Sequence, residues 1–225
     1  MYLNSLVFVV PQREGVYHSA MEQQQSSASL PVLRDEIAAC RVCRDTASRP
    51  LPHEPRPVAV LSDTARILIA GQAPGLRVHE TGIPFNDASG DRLRDWLGVG
   101  REQFYNPASF AILPMGFCFP GYDAHGSDLP PRRECAPLWR RRAIEAMPQI
   151  ELVLAVGGYA QRWHLRKDAA ASMTETVRDW RRHIATGVLP LPHPSWRNTG
   201  WLRRNPWFEE ELWPELRRKV SWWIG

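Results

Sequence analysis

The chain has 225 residues, of which 44% are hydrophobic, and its 28 basic and 24 acidic side chains give a net charge of +4. This length and mixed composition fit one globular α/β domain and exclude an intrinsically disordered chain. No apolar run reaches about 18 residues, so we expect neither a membrane span nor a membrane partner. Residues 5–10 are too short for a secretory signal and lack its basic leader, which predicts a cytoplasmic protein.

The predicted elements begin after a polar N-terminal stretch. Because residues 12–29 are rich in Gln and Ser, residues 1–30 are predicted to be a flexible N-terminal extension and residues 31–225 a single domain. Apolar residues recur with helical spacing over 33–43, and four prolines indicate a loop over 46–65.

Strands and helices then alternate to the end of the chain. Apolar runs predict strands at 66–70, 109–113, 151–156 and 186–191. Helical patterns predict helices at 88–98, 132–147, 158–165 and from 206 onward. This alternation indicates an α/β fold in which a mostly parallel sheet is covered by helices on both faces.

The spacing of the four cysteines is informative. Cys40 and Cys43 form a close C-x-x-C pair, and Cys118 and Cys135 form a looser pair downstream. A disulfide framework is not expected without a secretory signal. Four thiolates can hold zinc or a [4Fe–4S] cluster. Spacing alone leaves zinc, iron–sulfur and four unrelated buried thiols open.

A glycine-rich turn follows the first predicted strand. Gly71-Gln-Ala-Pro-Gly75 places small residues where a ligand can approach the backbone, and its N–H groups are suited to binding a flat polar base. Downstream, Phe85 follows Pro84 and offers a ring face for stacking. Taken alone, this pattern also fits a structural turn with a core phenylalanine.

A second polar turn follows the fourth predicted strand. In His193-Pro-Ser195 an imidazole stands at a strand end, where it can donate a hydrogen bond to charge that develops in a transition state. Ser195 and nearby backbone amides suit phosphate binding. Arginines outnumber lysines and cluster in the second half of the chain, including Arg132 and Arg133, which suits contacts with phosphate.

Together, the two turns and the cysteines resemble the uracil-DNA glycosylase superfamily over residues 33–220. Gly71–Gly75 continuing to Phe85 is similar to its first motif, and His193–Ser195 to its second. Val153–Gly157 is similar to the strand and glycine between them. The cysteine spacing is similar to that of the iron–sulfur branch, often called family 4, so the chain is identified as a divergent member of that branch.

The resemblance implies a three-layer αβα sandwich around a central four-stranded parallel sheet. It also implies a DNA repair enzyme that flips uracil out of DNA and hydrolyses its N-glycosidic bond, because this bond is not accessible in the stacked helix. The partner would be uracil-containing DNA, bound by a monomer in the cytoplasm of a bacterial-type cell.

Site residues follow from the same resemblance. The catalytic candidates are His193, Gln72 and His79. The uracil-binding candidates are Gly71, Gln72, Ala73, Phe85, Asn86 and His193. The candidates for DNA contact are Pro74, Gly75, Ser195, Trp196, Arg197 and Asn198. The [4Fe–4S] ligands would be Cys40, Cys43, Cys118 and Cys135, with zinc as the alternative metal.

Three positions depart from the pattern of that branch. Gln72 replaces a glutamate, so the amide can position water but cannot take its proton. His79 replaces an aspartate, which makes His79 or Glu80 a candidate base. Pro114 replaces an asparagine that reads the uracil edge, so we expect Asn86 and the first-motif backbone to select the base. The basic insert of the related covalent-trapping branch is absent, which does not favour covalent capture through His193.

Two other functions remain open at this point. Gln72 and Pro114 favour a uracil- or abasic-DNA binding protein with little turnover. The cysteines are also compatible with a zinc-structured α/β protein that acts on a small nucleotide.

Overall fold

The computed structural model describes residues 29–224. The predicted flexible extension therefore lies outside the described residues, apart from its last two positions, and Leu30 already begins the first helix. Within the described range, no helix combines the length and apolar character needed to cross a bilayer.

Four parallel strands form one sheet in the order β2-β1-β3-β4. The strands are β1 (Ile67–Ala70), β2 (Phe110–Ile112), β3 (Leu152–Val156) and β4 (Val188–Leu191). In register, Ile69 lies beside Ile112 on one side and Leu154 on the other. All four strands lie within the predicted ranges, which confirms the four-stranded parallel sheet.

Eleven helices are described before, between and after the strands. They are α1 (Leu30–Ala38), α2 (Val42–Asp45), α3 (Leu76–Thr81), α4 (Ala88–Leu97), α5 (Arg101–Tyr105), α6 (Arg141–Glu145), α7 (Gly158–Leu165), α8 (Met173–Arg178), α9 (Trp180–Ile184), α10 (Thr199–Arg204) and α11 (Trp213–Ile224). Wider π-helical turns precede α6 over Ala136–Arg140 and α11 over Phe208–Leu212.

The helices cover both faces of the sheet and make three layers. On one face, Ile67 and Ile69 pack with residues of α4, α8, α9 and α11 in the largest core cluster. On the other face, Leu68 packs with residues of α1 and α6 in a second cluster. Successive strand residues point to opposite faces, so a run of apolar residues such as Ile67–Ala70 requires cover on both sides. The predicted αβα sandwich is confirmed.

Two predicted helices have different boundaries in the structure. The helix predicted at 33–43 divides into α1 and α2, and Cys40 lies in the break between them. The helix predicted at 132–147 begins only at Ala136, in a π-helical turn that contains Pro137. Proline has no N–H and cannot donate an intrahelical bond, so it belongs at the start of a helix.

Candidate active site

A cleft opens at the carboxyl edge of the sheet, where loops leaving β1, β2 and β4 meet. It encloses about 430 Å³ of unfilled space, counted to its open mouth. The lining residues are Val58, Gly71, Gln72, Ala73, Pro74, Gly75, Val78, Pro84, Phe85, Asp87, Ile112, Pro114 and His193. The structure thus brings Phe85 and His193 to one cavity, although 108 positions separate them in the printed sequence.

The first-motif loop extends the hydrogen-bond pattern of the sheet. The Met115 N–H donates to the Gly71 carbonyl (2.9 Å), and the Gly116 N–H donates to the Gln72 carbonyl (3.0 Å). A Cβ on Gly71 would lie 3.2 Å from Cζ of Phe85, so glycine at this position lets the ring pack against the backbone. These contacts fix one wall of the cleft.

Phe85 occupies an unusual backbone conformation. Its φ of 52° lies in the left-handed region, which non-glycine residues rarely adopt. Its carbonyl accepts hydrogen bonds from Nη1 of Arg94 and from the Tyr105 hydroxyl, each at 3.3 Å. Its ring meets Phe104 edge-on, with centroids 6.0 Å apart. Strained conformations persist where the surroundings determine them, and they occur often at ligand sites.

His193 is held as a neutral imidazole of defined tautomer. The Ser195 N–H donates to Nδ1 (3.2 Å), so Nδ1 acts as an acceptor and the ring proton belongs on Nε2. Burial lowers the pKa of His193, and the nearby Asp87 carboxylate partly opposes this shift. The Asn198 amide donates to the His193 carbonyl (2.7 Å) and braces the turn. Gly157 follows β3 with a φ of 83°, a conformation that favours glycine, and it lies directly against the His193 side chain.

Asp87 is a cleft residue that the sequence analysis missed. It caps α4, since its Oδ1 accepts the Gly90 N–H at 2.9 Å, and it also lines the cleft. Among residues 29–224, it is the one carboxylate in the lining. An aspartate immediately before a predicted helix is a typical N-cap signal and would have located it, although a cap alone does not indicate a ligand site.

The structure does not bring two predicted site residues into the cleft. His79 lies on another side of α3, against the rings of His53 (4.3 Å between centroids) and Phe119 (6.1 Å). The Asn86 side chain accepts a hydrogen bond from Arg101 (3.3 Å) and is absent from the lining residues described. Neither side chain is among the lining residues described for the cleft, so His79 as a base and Asn86 as the reader of uracil stay predictions that this geometry does not support.

Pro114 forms part of the cleft wall, and a buried arginine lies behind it. Arg140 is 0% exposed, and its Nη1 donates to the carbonyls of Leu113 and Pro114. Its Nη2 lies 2.7 Å from Nε2 of His164. Burial and the adjacent guanidinium lower the pKa of His164 to about 3, so this imidazole is a neutral acceptor. Arg140 thus fixes the backbone at the end of β2.

The second-motif turn continues along the rim of the cleft. Trp196 is 72% exposed, and the exposed Arg197 guanidinium lies 5.6 Å from the Trp196 ring centroid. The Ser195 carbonyl accepts a hydrogen bond from Arg92 of α4 (3.0 Å). None of Ser195, Trp196, Arg197 and Asn198 is among the described lining residues, so these four lie outside the interior and closely follow the lining residue His193 in the chain.

The four cysteines line a second cavity. This cavity is surrounded by α2, the segment after β2 and the π-helical turn before α6. All four are free thiols. Burial raises the pKa of Cys118 and Cys135 to about 12. The Phe117 N–H donates to Sγ of Cys135 (3.2 Å). In the described residues, no three potential ligands are already gathered around a single point.

The parallel sheet, with its cleft at the carboxyl ends of the strands, defines an α/β protein of the kind that binds ligands at that edge. A protein-family model described as the uracil DNA glycosylase superfamily matches residues 58–217, more than half of the chain. The chain belongs to this superfamily. The matched range contains the four strands and the cleft, and it begins after Cys40 and Cys43.

Proposed function

We propose that the protein is a monofunctional uracil-DNA glycosylase, which hydrolyses the N-glycosidic bond of uracil in DNA and leaves an abasic site. The observation that carries this proposal is the pairing, in one base-sized cleft, of the Phe85 ring with a neutral His193. Proteins of this superfamily typically act on DNA as glycosylases, and such enzymes flip the target base out of the helix into a pocket.

His193 would stabilise the leaving base. When the bond from C1′ to N1 breaks, its electron pair passes to uracil, and negative charge collects on the ring and its oxygens. An Nε2–H donor, fixed in place by the Ser195 N–H on the other ring nitrogen, meets that charge without reorganisation. One such donor contributes about 3 kcal/mol in comparable oxyanion sites. Phe85 would hold the base by stacking.

Asp87 is our candidate for the water-activating group. Gln72 lines the cleft, but a neutral amide cannot accept a proton from water. The Asp87 carboxylate also lines the cleft, and it can take this proton as the water oxygen bonds to C1′. Its negative charge also stabilises the positive charge that builds on the deoxyribose.

Base selection would depend on Gln72 and the backbone of the first motif. Pro114 offers no polar side-chain group at the wall, and Asn86 is engaged by Arg101. The Gln72 amide has both a donor and an acceptor, which match the N3–H and O4 edge of uracil. Cytosine reverses this pattern of donor and acceptor, so the same amide would have to turn over to bind it.

We assign DNA contacts to the rim of the cleft. Ser195, Arg197 and Asn198 follow the cleft residue His193 and would bind phosphates, together with Pro74 and Gly75 of the first motif. Trp196 is the most exposed large apolar side chain among the described residues, which suits a wedge that fills the gap left by the flipped base.

We further propose that the four cysteines hold a [4Fe–4S] cluster, as in the iron–sulfur branch, with zinc as the alternative. Their chemistry fits: four free thiols line one cavity, and N–H groups of Phe117 and Trp139 donate to two of the sulfurs. When bound, such a cluster would supply cross-links between distant segments. Ligation would require deprotonation of thiols whose pKa burial has raised.

The second candidate is a uracil- or abasic-DNA binding protein with little turnover. The observation that favours it is Gln72, which stands in the cleft where a carboxylate is expected for the iron–sulfur branch. If Asp87 served only as a helix cap, water in the cleft would have no base.

One experiment separates these candidates. A labelled oligonucleotide that contains uracil, hypoxanthine or xanthine is incubated with the protein and then cleaved with alkali at abasic sites. We expect cleavage at uracil, a loss of about 10²–10³-fold for His193→Ala, and a loss of about 10²–10⁴-fold for Asp87→Asn. Asparagine also caps helices, so Asp87→Asn removes the charge and keeps the cap.

The control is Asp63→Asn, since Asp63 is exposed and precedes β1 at the opposite edge of the sheet. It should cleave like the wild type. A gel shift on uracil-containing DNA without alkali-sensitive cleavage would support the binding protein. Full activity of Asp87→Asn would remove Asp87 from the mechanism.

A further inference from the structure

A basic groove lies beside the cleft on the β2 side. Its lining residues are Ser48, Arg49, Leu129, Pro130, Pro131, Arg132, Arg133 and Glu134. Three arginines against one glutamate give this surface a formal charge of +2. The groove is open to solvent, and its charged lining suits a run of nucleic-acid backbone better than a single base.

Two of its arginines are available to a ligand. Arg49 and Arg133 are exposed, and within residues 29–224 neither has a carboxylate oxygen within 4.0 Å. Arg132 has a structural role, because its guanidinium donates to the Arg49 carbonyl and lies 4.0 Å from Glu134. The Arg132 contact therefore ties the segment that carries Arg49 to the segment that carries Arg133.

The groove wall is rigid where it meets the sheet. Pro131 is buried, and a Cβ on Gly116 would lie 3.2 Å from the Pro131 Cβ, so these two segments of the chain are in close contact there. The Gly116 N–H in turn donates to the carbonyl of Gln72, a cleft residue. A groove fixed to the cleft in this way holds its charges at a constant distance from the base site.

The groove and the second-motif turn flank the cleft on opposite sides. β2 and β4 are the two edge strands of the sheet. The turn with Ser195 follows β4, whereas most of the groove is built from the segment after β2, with Ser48 and Arg49 added from the segment before β1. The groove meets the cleft near Asp128, whose carboxylate would lie 3.9 Å from a Cβ on the cleft residue Gly75, and Leu129 begins the groove directly after it.

From this placement we propose that Arg49 and Arg133 bind phosphates of the DNA strand that carries the target base, on the β2 side of the cleft. The proposal rests on the proposed function, since it uses the cleft as the place where the base enters. The strand would cross the mouth from the Ser195 turn to the groove. The ligand is backbone phosphate, so these contacts add affinity without reading sequence.

The test measures the salt dependence of binding. Duplex DNA with a tetrahydrofuran abasic analogue is titrated by fluorescence anisotropy at several salt concentrations, with wild type, Arg49→Gln/Arg133→Gln and the control Arg141→Gln/Arg218→Gln. The control removes two exposed arginines outside the groove. We expect the groove variant to lose tenfold or more in affinity at about 0.1 M salt, and its log–log slope to fall by about 2.

A second measurement locates the contacts along the DNA, with the wild-type protein and the groove variant side by side. Neutral methylphosphonates are placed one by one on either side of the abasic analogue. The proposal is supported if methylphosphonates beyond the cleft on one side weaken binding of the wild type. At the same positions they should cause no further loss in the groove variant. An unchanged slope in the groove variant, or an equal fall in the control, overturns it. If the salt slopes are as expected but the wild type excises no base, the proposal that the groove binds phosphate stands and the proposed glycosylase function is refuted.

Discussion

Two imidazoles of this protein are neutral for different physical reasons. His193 loses its charge mainly by burial at the cleft, and the Asp87 carboxylate limits the shift. His164 is buried against the Arg140 guanidinium, and both effects disfavour the imidazolium. The first imidazole is positioned to donate a hydrogen bond to a ligand, whereas the second only accepts a hydrogen bond and supports the wall behind Pro114.

The His164 environment predicts how stability depends on pH. Its folded pKa of about 3 lies below the usual value of 6.5, so the unfolded chain binds a proton that the folded chain does not. Stability should therefore fall as the pH drops from about 6.5 toward 3, by up to about 1.4 kcal/mol per pH unit from this residue. Urea unfolding at pH 6 and pH 5 measures the slope.

The variant for this prediction is His164→Gln, whose side-chain oxygen can still accept from Arg140. It should be less stable than wild type at pH 7 but should lose less stability between pH 6 and pH 5. His125→Gln is the matched control, because His125 is exposed. Parallel slopes for wild type and His164→Gln would show that His164 does not stay neutral in the folded protein.

At the level of elements, the turn between α3 and α4 determines the shape of the cleft. Gly90 in the first turn of α4 lies against Phe85, and a Cβ there would stand 1.7 Å from the Phe85 carbonyl oxygen. The same oxygen receives the hydrogen bonds from Arg94 and Tyr105. The left-handed conformation of Phe85 therefore depends on a glycine five residues later.

We predict that Gly90→Ala displaces this turn. The alanine methyl cannot share space with a backbone carbonyl, so we expect a loss of about 3 kcal/mol in the free energy of unfolding and a parallel loss of uracil excision. The control is Gly100→Ala, since a Cβ on Gly100 meets nothing within 4 Å. Equal melting temperatures for Gly90→Ala and wild type would contradict this prediction.

Some elements of the fold are predictable from the sequence and others are not, and the difference has physical reasons. Buried parallel strands such as Ile67–Ala70 are continuous apolar runs, so their positions and the loops after them were predictable. The orientation of short α3 was not, because each helical residue turns about 100° and Val78, not His79, lines the cleft. Asp87 was missed because its side chain joins two roles, cap and cleft, that only the tertiary structure brings together.

For the molecule as a whole, the cysteine cavity joins parts of the chain that are far apart in sequence. Cys40 and Cys43 lie at the break between α1 and α2, Cys118 follows β2, and Cys135 precedes the π-helical turn. The segment from Cys118 to Cys135 contains both Asp128 at the cleft mouth and most of the basic groove. A cluster at this place would therefore hold the proposed DNA-binding surface against the sheet.

We expect Cys40→Ser to reduce folding stability before it affects chemistry. Loss of one thiolate removes a ligand and the Trp139 contact to its sulfur, whereas the cleft residues lie on other segments. Iron and labile sulfide should fall, the visible absorption should bleach, and the melting temperature should drop, while the excision rate per folded molecule at low temperature stays near wild type.

The control is Thr46→Ser, an exposed substitution at the end of α2. It should keep the iron and sulfide content, the visible absorption, the melting temperature and the excision rate of the wild type. A colourless wild-type protein that excises uracil at full rate without iron and sulfide would refute the cluster, and a zinc content of one per chain would assign the same four ligands to zinc.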